Sequence, residues 1–244
     1  MEFKEIKEKI KSFVKKEIIA LEPWILNSDW SDKLPKLNQI REKVRANKLW
    51  LPQISKQYGG LGLNNEQFGE ISEILGASPY GHYCFNCQAP DAGNMEILIE
   101  CGSDNQKEQY LYPLLEGKIR SCFAMTEPDF AGSNPTKMGT FATKKGNDYI
   151  INGHKWFTSG FDGSSFAIVM LITNPKADNP HKRASQIIVP TDNKGLEFVR
   201  NVSVMGHSGS GWESHAEIKF NDVVVSTSNI LGNEGEGFSI AQKR

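Results

Sequence analysis

The chain has 244 residues, of which 39% are hydrophobic, enough to bury the core of one or two domains. Its formal net charge of −1 argues against a general nucleic-acid binder, which needs an excess of Lys and Arg against phosphates. No apolar run reaches the roughly 18 residues that span a bilayer, and the N-terminal lysines alternate with glutamates, unlike a signal or targeting sequence. We therefore expect a cytoplasmic protein, with a peroxisomal or mitochondrial location left open.

In the first half of the chain, apolar residues recur at three- and four-residue steps, which predicts helices. They are expected over residues 3–18, 34–49, 64–75, 95–99 and 103–117. Asn and Ser at the starts of the third and fifth segments are typical N-caps, and the Gly at the end of the last is a typical stop.

The second half is rich in β-branched and aromatic residues separated by Gly, Asn and Asp, which predicts strands. Asn152-Gly153 stands between two such runs and predicts a hairpin, because a type I′ turn needs positive φ at both central residues. Further strands are expected over 165–173, 185–190, 196–200 and 215–225.

Helices followed by strands predict the α+β class with segregated domains. We expect an N-terminal helical domain at 1–120 and an antiparallel β-barrel or sandwich domain, closed or nearly so, at 121–235. Residues 236–244 would begin a further helical domain.

Cysteine and histidine spacing predicts no metal site. Cys84 and Cys87 have the C-x-x-C spacing, but no second pair follows, so packed thiols are expected. The five histidines show no pairing typical of metal ligands.

The segment from Phe123 to Asn134 joins the two predicted domains. It consists of an apolar stretch, then Thr126-Glu127-Pro128, then a turn at Gly132-Ser133. An apolar strand can lie against a flat ring system, and a Gly-Ser turn lets backbone N–H groups approach an anion. A strand followed by an ordinary turn would give the same pattern.

This segment resembles the Thr-Glu-Pro…Gly-Ser signature of acyl-CoA dehydrogenases, and 152–160 resembles the second flavin segment of that family, with one residue fewer between Lys155 and Trp156. Three further stretches are similar to the family in the same order: 58–62, 88–96 and 229–238. The spacing from Pro128 to Gly132 is similar to the branch that contains the long-chain members ten and eleven.

The resemblance implies that FAD is the cofactor and assigns its contacts. The apolar residues would line the isoalloxazine, Thr126 its pyrimidine edge, Gly132 and Ser133 the pyrophosphate, and Thr158 the ring atom N5. The implied flavin-binding residues are Phe123, Ala124, Met125, Thr126, Gly132, Ser133, Trp156, Phe157 and Thr158. The implied substrate-binding residues are Ser133, Cys87, Ala89, Pro90 and Asn94.

The function that the resemblance implies is FAD-dependent α,β-dehydrogenation of an acyl-CoA, with electron-transfer flavoprotein or a similar acceptor as partner and a homo-oligomer as the assembly. An acyl-CoA oxidase, a flavin monooxygenase and an inactive binding or assembly member remain alternatives. No catalytic residue is expected in this chain, since Glu127 would be structural and the base would belong to a C-terminal helical domain that the 244 residues lack. The isolated chain is therefore expected to be inactive.

Overall fold

The computed structural model describes residues 2–243 and shows two compact units that divide between Ala92 and Gly93. The first unit is helical, and the second combines helices with an eight-stranded sheet. The predicted order of helices before strands is confirmed. The domain limits at 120 and 235 stay predictions.

The first unit contains the three predicted helices and two short helices that the sequence did not predict. Their bounds are α1 Phe3–Phe13, α2 Glu22–Ile25, α3 Trp30–Ala46, α4 Asn65–Leu75 and α5 Gly81–Cys84, and the two short ones are α2 and α5. A π-helical turn continues α1 to Ile18. Asn64 accepts from the Gln67 backbone and Gln67 from that of Asn64, which completes a capping box at the start of α4.

Helix α3 begins four residues earlier than predicted and keeps Pro35 inside it. The start is fixed by packing, because the Trp30 ring meets the Tyr83 ring edge-on at 5.6 Å between centroids. Further along α3, Leu37, Ile40 and Val44 are buried.

The second unit contains the remaining helices together with the sheet. Their bounds are α6 Asp91–Cys101, which starts just before the division, α7 Asp104–Gln106, α8 Tyr112–Leu115 and α9 Gly237–Ala241. Ser103 caps α7 as predicted, and a π-helical turn links α7 to α8. The Tyr110 ring packs on Phe166 of β4 at 4.7 Å between centroids, so the π-helical turn contacts the sheet.

The sheet has the order β6-β7-β3-β2-β4-β5-β8, and β1 pairs with β4 outside this path. The strands are β1 Ser121–Ala124, β2 Phe141–Lys145, β3 Asp148–Ser159, β4 Phe166–Ile172, β5 Ala184–Pro190, β6 Leu196–Asn201, β7 His215–Ser226 and β8 Ile230–Leu231.

The sheet is not antiparallel throughout and not closed, contrary to the prediction. Strands β1 and β2 both run parallel to β4, and the strand order ends at β6 on one side and β8 on the other, so the sheet is mixed and open. Parallel pairing requires a long connection rather than a tight hairpin, and residues 125–165 form that connection between β1 and β4.

The predicted hairpin turn at Asn152-Gly153 is also wrong, because both residues lie inside β3. The turn between β2 and β3 is at Gly146-Asn147, next to the Lys145↔Asp148 pair. Gly146 has φ of 62°, the left-handed conformation that glycine adopts without strain.

The core cluster of the second unit consists of buried residues from six strands, mostly at alternate positions. It includes Cys122 and Ala124 of β1, Ala216 and Ile218 of β7, and three residues of β4. Since successive side chains of a strand point to opposite faces, this cluster fixes which side chains of β1, β3 and β7 point away from the core.

Candidate functional site

Two segments that lie about thirty residues apart in the chain are joined backbone to backbone. The N–H of Trp156 donates to the carbonyl of Thr126 at 3.0 Å, and the Thr126 hydroxyl donates to the carbonyl of Trp156 at 2.8 Å. The structure therefore brings together the two stretches on which the sequence prediction rests.

A buried ion pair locks the same junction. The Lys155 ammonium, 0% exposed, donates to the Glu127 carboxylate at 2.7 Å and to the carbonyl of Met125 at 2.7 Å. The carboxylate, 4% exposed, also accepts from the backbone N–H groups of Gly139 and Thr140. Four donor–acceptor contacts thus fasten both ends of the 125–140 connection to β3.

Electrostatics favour the ionised carboxylate in this pair. Burial by itself would raise the pKa of Glu127, but the Lys155 ammonium and the two N–H donors lower it overall. Burial lowers the pKa of Lys155 to about 8, against the opposing pull of Glu127. With its oxygens engaged by three donors, Glu127 acts as a clamp for the connection and is not placed to take a proton from a ligand.

A β-bulge just after Lys155 changes which side chains of β3 face the core. Lys155 pairs with Ile218 and Thr158 with Ala216, so Trp156 and Phe157 together oppose a single residue of β7. Phe157 adopts φ of 48° and is 42% exposed. The bulge therefore presents an aromatic ring to solvent at the predicted flavin segment.

The structure places Thr158 on the core side of the sheet. Its register partner Ala216 belongs to the core cluster, the side chain is 0% exposed, and its hydroxyl has no hydrogen-bond partner among the described residues. The reason for this placement is the bulge, which shifts the in–out alternation by one residue. The predicted role of Thr158 at the flavin stays a prediction.

The next residue, Ser159, points to the opposite side. Its hydroxyl lies 2.7 Å from Nδ1 of His215, its register partner on β7. Phe123 also lies on the side away from the core cluster, because its neighbours Cys122 and Ala124 both belong to that cluster. Phe123 and Ser159 thus share the outward side of the sheet.

The predicted pyrophosphate turn is open to a ligand. Gly132 and Ser133 are exposed, and their N–H groups donate to no other described residue. A Cβ at Gly132 would come within 2.9 Å of the Thr126 methyl group, so glycine allows the turn to lie close to that residue. These features fit an anionic group of a cofactor.

The predicted acyl-binding residues differ in their surroundings. In the first unit Cys87 and Pro90 are buried and Ala89 is exposed. In the second unit the buried Asn94 amide donates to the Ser121 hydroxyl and the Cys122 carbonyl, which ties α6 to β1. Of the four cysteines, Cys84, Cys87 and Cys122 are buried thiols outside any disulfide, as predicted.

Comparison with protein-family models decides the family. The acyl-CoA dehydrogenase N-terminal domain model matches residues 1–118, and the middle domain model matches residues 122–223. The chain belongs to the acyl-CoA dehydrogenase family. Neither matched region covers a C-terminal domain of that family.

Relatives within the acyl-CoA dehydrogenase family agree with the predicted branch. The chain is 39% identical to family member 10 of Mus musculus over 97% of its length and 40% identical to member 11 of Gallus gallus over 98%. A solved structure of a family protein from Mycobacterium abscessus superposes with a TM-score of 0.91 and 34% identity. The chain spans 23% and 32% of the two curated relatives and 62% of the solved structure.

The sequence of this acyl-CoA dehydrogenase family member did not predict the Lys155–Glu127 ion pair or the contact between Ser159 and His215. The available signal for a buried, paired cation was the position of Lys155 between His154 and Trp156 in a predicted strand. Within residues 2–243 no group of His, Cys, Asp or Glu could hold a metal ion. No helix in that part of the chain is long and apolar enough to span a bilayer.

Proposed function

We propose that this chain takes part in the FAD-dependent α,β-dehydrogenation of an acyl-CoA thioester. The observation that carries the proposal is the junction of Met125–Glu127 with Lys155–Trp156, which brings both flavin-like segments of the sequence to one place. Bound FAD would supply the acceptor for the hydride that leaves the acyl β-carbon.

The residues of this chain would bind and orient rather than move protons. Phe123, Trp156 and Phe157 offer aromatic surface for the flavin ring, and Ala124, Met125 and Thr126 complete the proposed flavin-binding segments. The N–H groups of Gly132 and Ser133 would meet the pyrophosphate. Glu127 and Lys155 would hold these groups in position, since preorganised donors cost no rearrangement when the ligand reacts.

The residues that we propose for contacts with acyl-CoA are Cys87, Ala89 and Pro90 of the first unit and Asn94 and Ser133 of the second. Buried Cys87 and Pro90 are suited to an apolar chain. Electron-transfer flavoprotein or a similar acceptor would reoxidise the flavin, and the active assembly would be a homo-oligomer. These roles and partners are part of the proposal.

The proposal predicts that the protein quenches the fluorescence of added FAD as the cofactor binds. Trp156→Ala should weaken FAD binding by about two- to tenfold, since aromatic stacking contributes roughly 0.5–1.5 kcal/mol. Trp24→Ala, which removes an exposed tryptophan of the first unit, is the matched control and should leave the dissociation constant unchanged. Wild-type protein that binds no FAD would contradict the proposed function.

A second prediction separates the two neighbouring hydroxyls. We propose that the outward Ser159 hydroxyl, held by His215, contacts the flavin ring. Ser159→Ala should then weaken binding of FAD and of riboflavin by the same factor, about two- to tenfold, because both ligands share that ring. Thr158→Val should weaken the binding of FAD and of riboflavin by a smaller factor than Ser159→Ala, because the Thr158 hydroxyl is buried on the core side. Fluorescence titrations of both ligands give the comparison. A larger loss in Thr158→Val would restore the role first predicted for Thr158.

A further inference from the structure

A cavity of about 470 Å³ lies in the second unit beside β6, the strand at one end of the sheet order. Its walls are the turn between β3 and β4, Thr191 just after β5, and two residues of β6, Phe198 and Asn201. A volume of this size falls in the range of small-molecule sites. The lining shares no residue with the proposed contacts to FAD and acyl-CoA, so a ligand bound here would be independent of the proposed function.

Two parallel aromatic rings form the apolar part of the cavity. The planes of Phe161 and Phe198 differ by 8°, and their centroids are 6.2 Å apart. Phe198 is 50% exposed, so part of its side chain is open to a ligand. The face of an aromatic ring carries negative potential and attracts a cation that lies within about 6 Å of the ring centroid. The two rings therefore favour a ligand that combines positive charge with apolar groups.

Asp162 supplies the cavity with a carboxylate that forms no ion pair. Its Oδ2 accepts from the N–H of Gly211 at 2.6 Å, and its backbone carbonyl accepts from the guanidinium of Arg120, which together hold the residue in place. Asp162 is exposed and pairs with no basic side chain in the part of the chain that the structure describes. No basic side chain is among the described lining residues. A fixed negative charge is therefore available to a cationic ligand.

The other polar side chains of the lining have donors that are engaged within the protein. The Ser164 hydroxyl donates to the carbonyl of Phe161 at 2.7 Å, and the Thr191 hydroxyl donates to the carbonyl of Ser164. The Asn201 amide nitrogen donates to the carbonyl of Gly209 at 3.2 Å, while its Oδ1 is buried and has no hydrogen-bond partner among the described residues. A buried oxygen without a donor keeps a negative partial charge that water does not screen. The lining therefore favours a cation over an anion.

We propose that this cavity binds a small alkylated ammonium ion, with its methyl groups against Phe161 and Phe198 and its charge beside Asp162. A metal ion is not favoured, because no group of His, Cys, Asp or Glu within residues 2–243 could hold one. A primary ammonium is strongly hydrated and needs several acceptors around its three N–H bonds. A quaternary ammonium has no N–H bond and binds to aromatic faces, which here stand beside a negative charge.

The test is titration of the protein with choline, followed by NMR, with dimethylbutanol as the matched ligand. The two molecules have the same shape, but dimethylbutanol has carbon in place of the charged nitrogen. Choline should bind about fivefold more tightly. Asp162→Asn should remove most of this difference, because the amide can still accept from Gly211 but carries no charge. Asp192→Asn, an equal charge change outside the lining, should alter choline binding less than about twofold.

The contribution of the rings is tested by a substitution that keeps the apolar side chain. Phe198→Leu removes the aromatic face, so it should weaken choline binding about two- to fivefold and leave dimethylbutanol binding unchanged. Phe141→Leu is the matched control, because Phe141 is 45% exposed and lies outside the lining. It should leave the binding of both ligands unchanged. Urea unfolding of each variant shows whether it is folded before it is titrated.

The outcomes decide between a cation site and its alternatives. Equal affinities for choline and dimethylbutanol, or no binding of choline, would overturn the site. Equal weakening by Asp162→Asn and Asp192→Asn would overturn it too, because the attraction would then come from the general charge of the surface. A peptide with trimethylated lysine that binds more tightly than choline would assign the cavity to a protein partner and overturn the small ligand. FAD takes no part in these titrations, so a failure of the proposed function would be recognised on its own.

Discussion

Replacing Glu127 by alanine is expected to destabilise the second unit by about 3–5 kcal/mol, the cost of leaving a buried charge without its partner. The Lys155 ammonium would lose its only carboxylate partner among residues 2–243 while staying buried. The N–H groups of Gly139 and Thr140 would lose their acceptor as well. The loss is larger than for a surface carboxylate, because three segments of the chain meet at Glu127.

Urea unfolding followed by circular dichroism measures this change. Glu116→Ala is the matched control, because it removes the glutamate of a surface pair with Lys118 and should cost less than about 0.5 kcal/mol. The double variant Glu127→Gln with Lys155→Met should lose less than the sum of the two single variants, since it leaves no buried charge unpaired. Additive losses would show that the two residues do not act as a pair.

The pH dependence of the same measurement has a definite sign. The folded state lowers the pKa of Glu127 below its ordinary value of 4.5, so its contribution is fully present above that value. It is lost as the pH falls through the lowered pKa of the folded state, because protonation then favours the unfolded chain. The difference in stability between wild type and Glu127→Ala should therefore narrow in acid, and a constant difference down to the acid transition would contradict the pairing.

Gly153→Ala is expected to destabilise the protein by about 3 kcal/mol, at the upper end of the usual cost of overpacking. A Cβ at this position would lie 2.5 Å from the Cα and 2.4 Å from the hydroxyl of Thr140. Thr140 cannot retreat, because its N–H donates to Glu127 and its carbonyl accepts from Ile172. The φ of 151° at Gly153 adds backbone strain for any other residue.

Gly146→Ala separates the steric cost from the backbone cost. Gly146 has φ of 62°, but a Cβ there would meet nothing within 4 Å. Its replacement should cost about 1–2 kcal/mol, the price of left-handed backbone for an L-residue. Thermal or urea unfolding of both variants gives the comparison. If Gly153→Ala were no more destabilising than Gly146→Ala, the close approach of β3 to Thr140 would be wrong.

The sequence by itself determined the order of the two structural classes, most helix and strand bounds, and the family. Local signals were sufficient there: apolar periodicity sets a helix face, Asn64 and Ser103 cap the helices that follow them, and the two flavin-like segments stand in family order. These features depend on residues that are close together in the chain, so they can be predicted without knowing which distant segments come into contact.

Only the tertiary structure decided the contacts between distant segments. Asn152-Gly153 has the composition of a turn, yet it lies inside β3, where glycine is needed for the close approach of Thr140. The bulge at Trp156-Phe157 turns Thr158 inward and Ser159 outward, an inversion that strand alternation cannot predict. The pairing of Lys155 with Glu127 across 28 residues follows from burial, because a buried cation requires a partner that only the fold can bring to it.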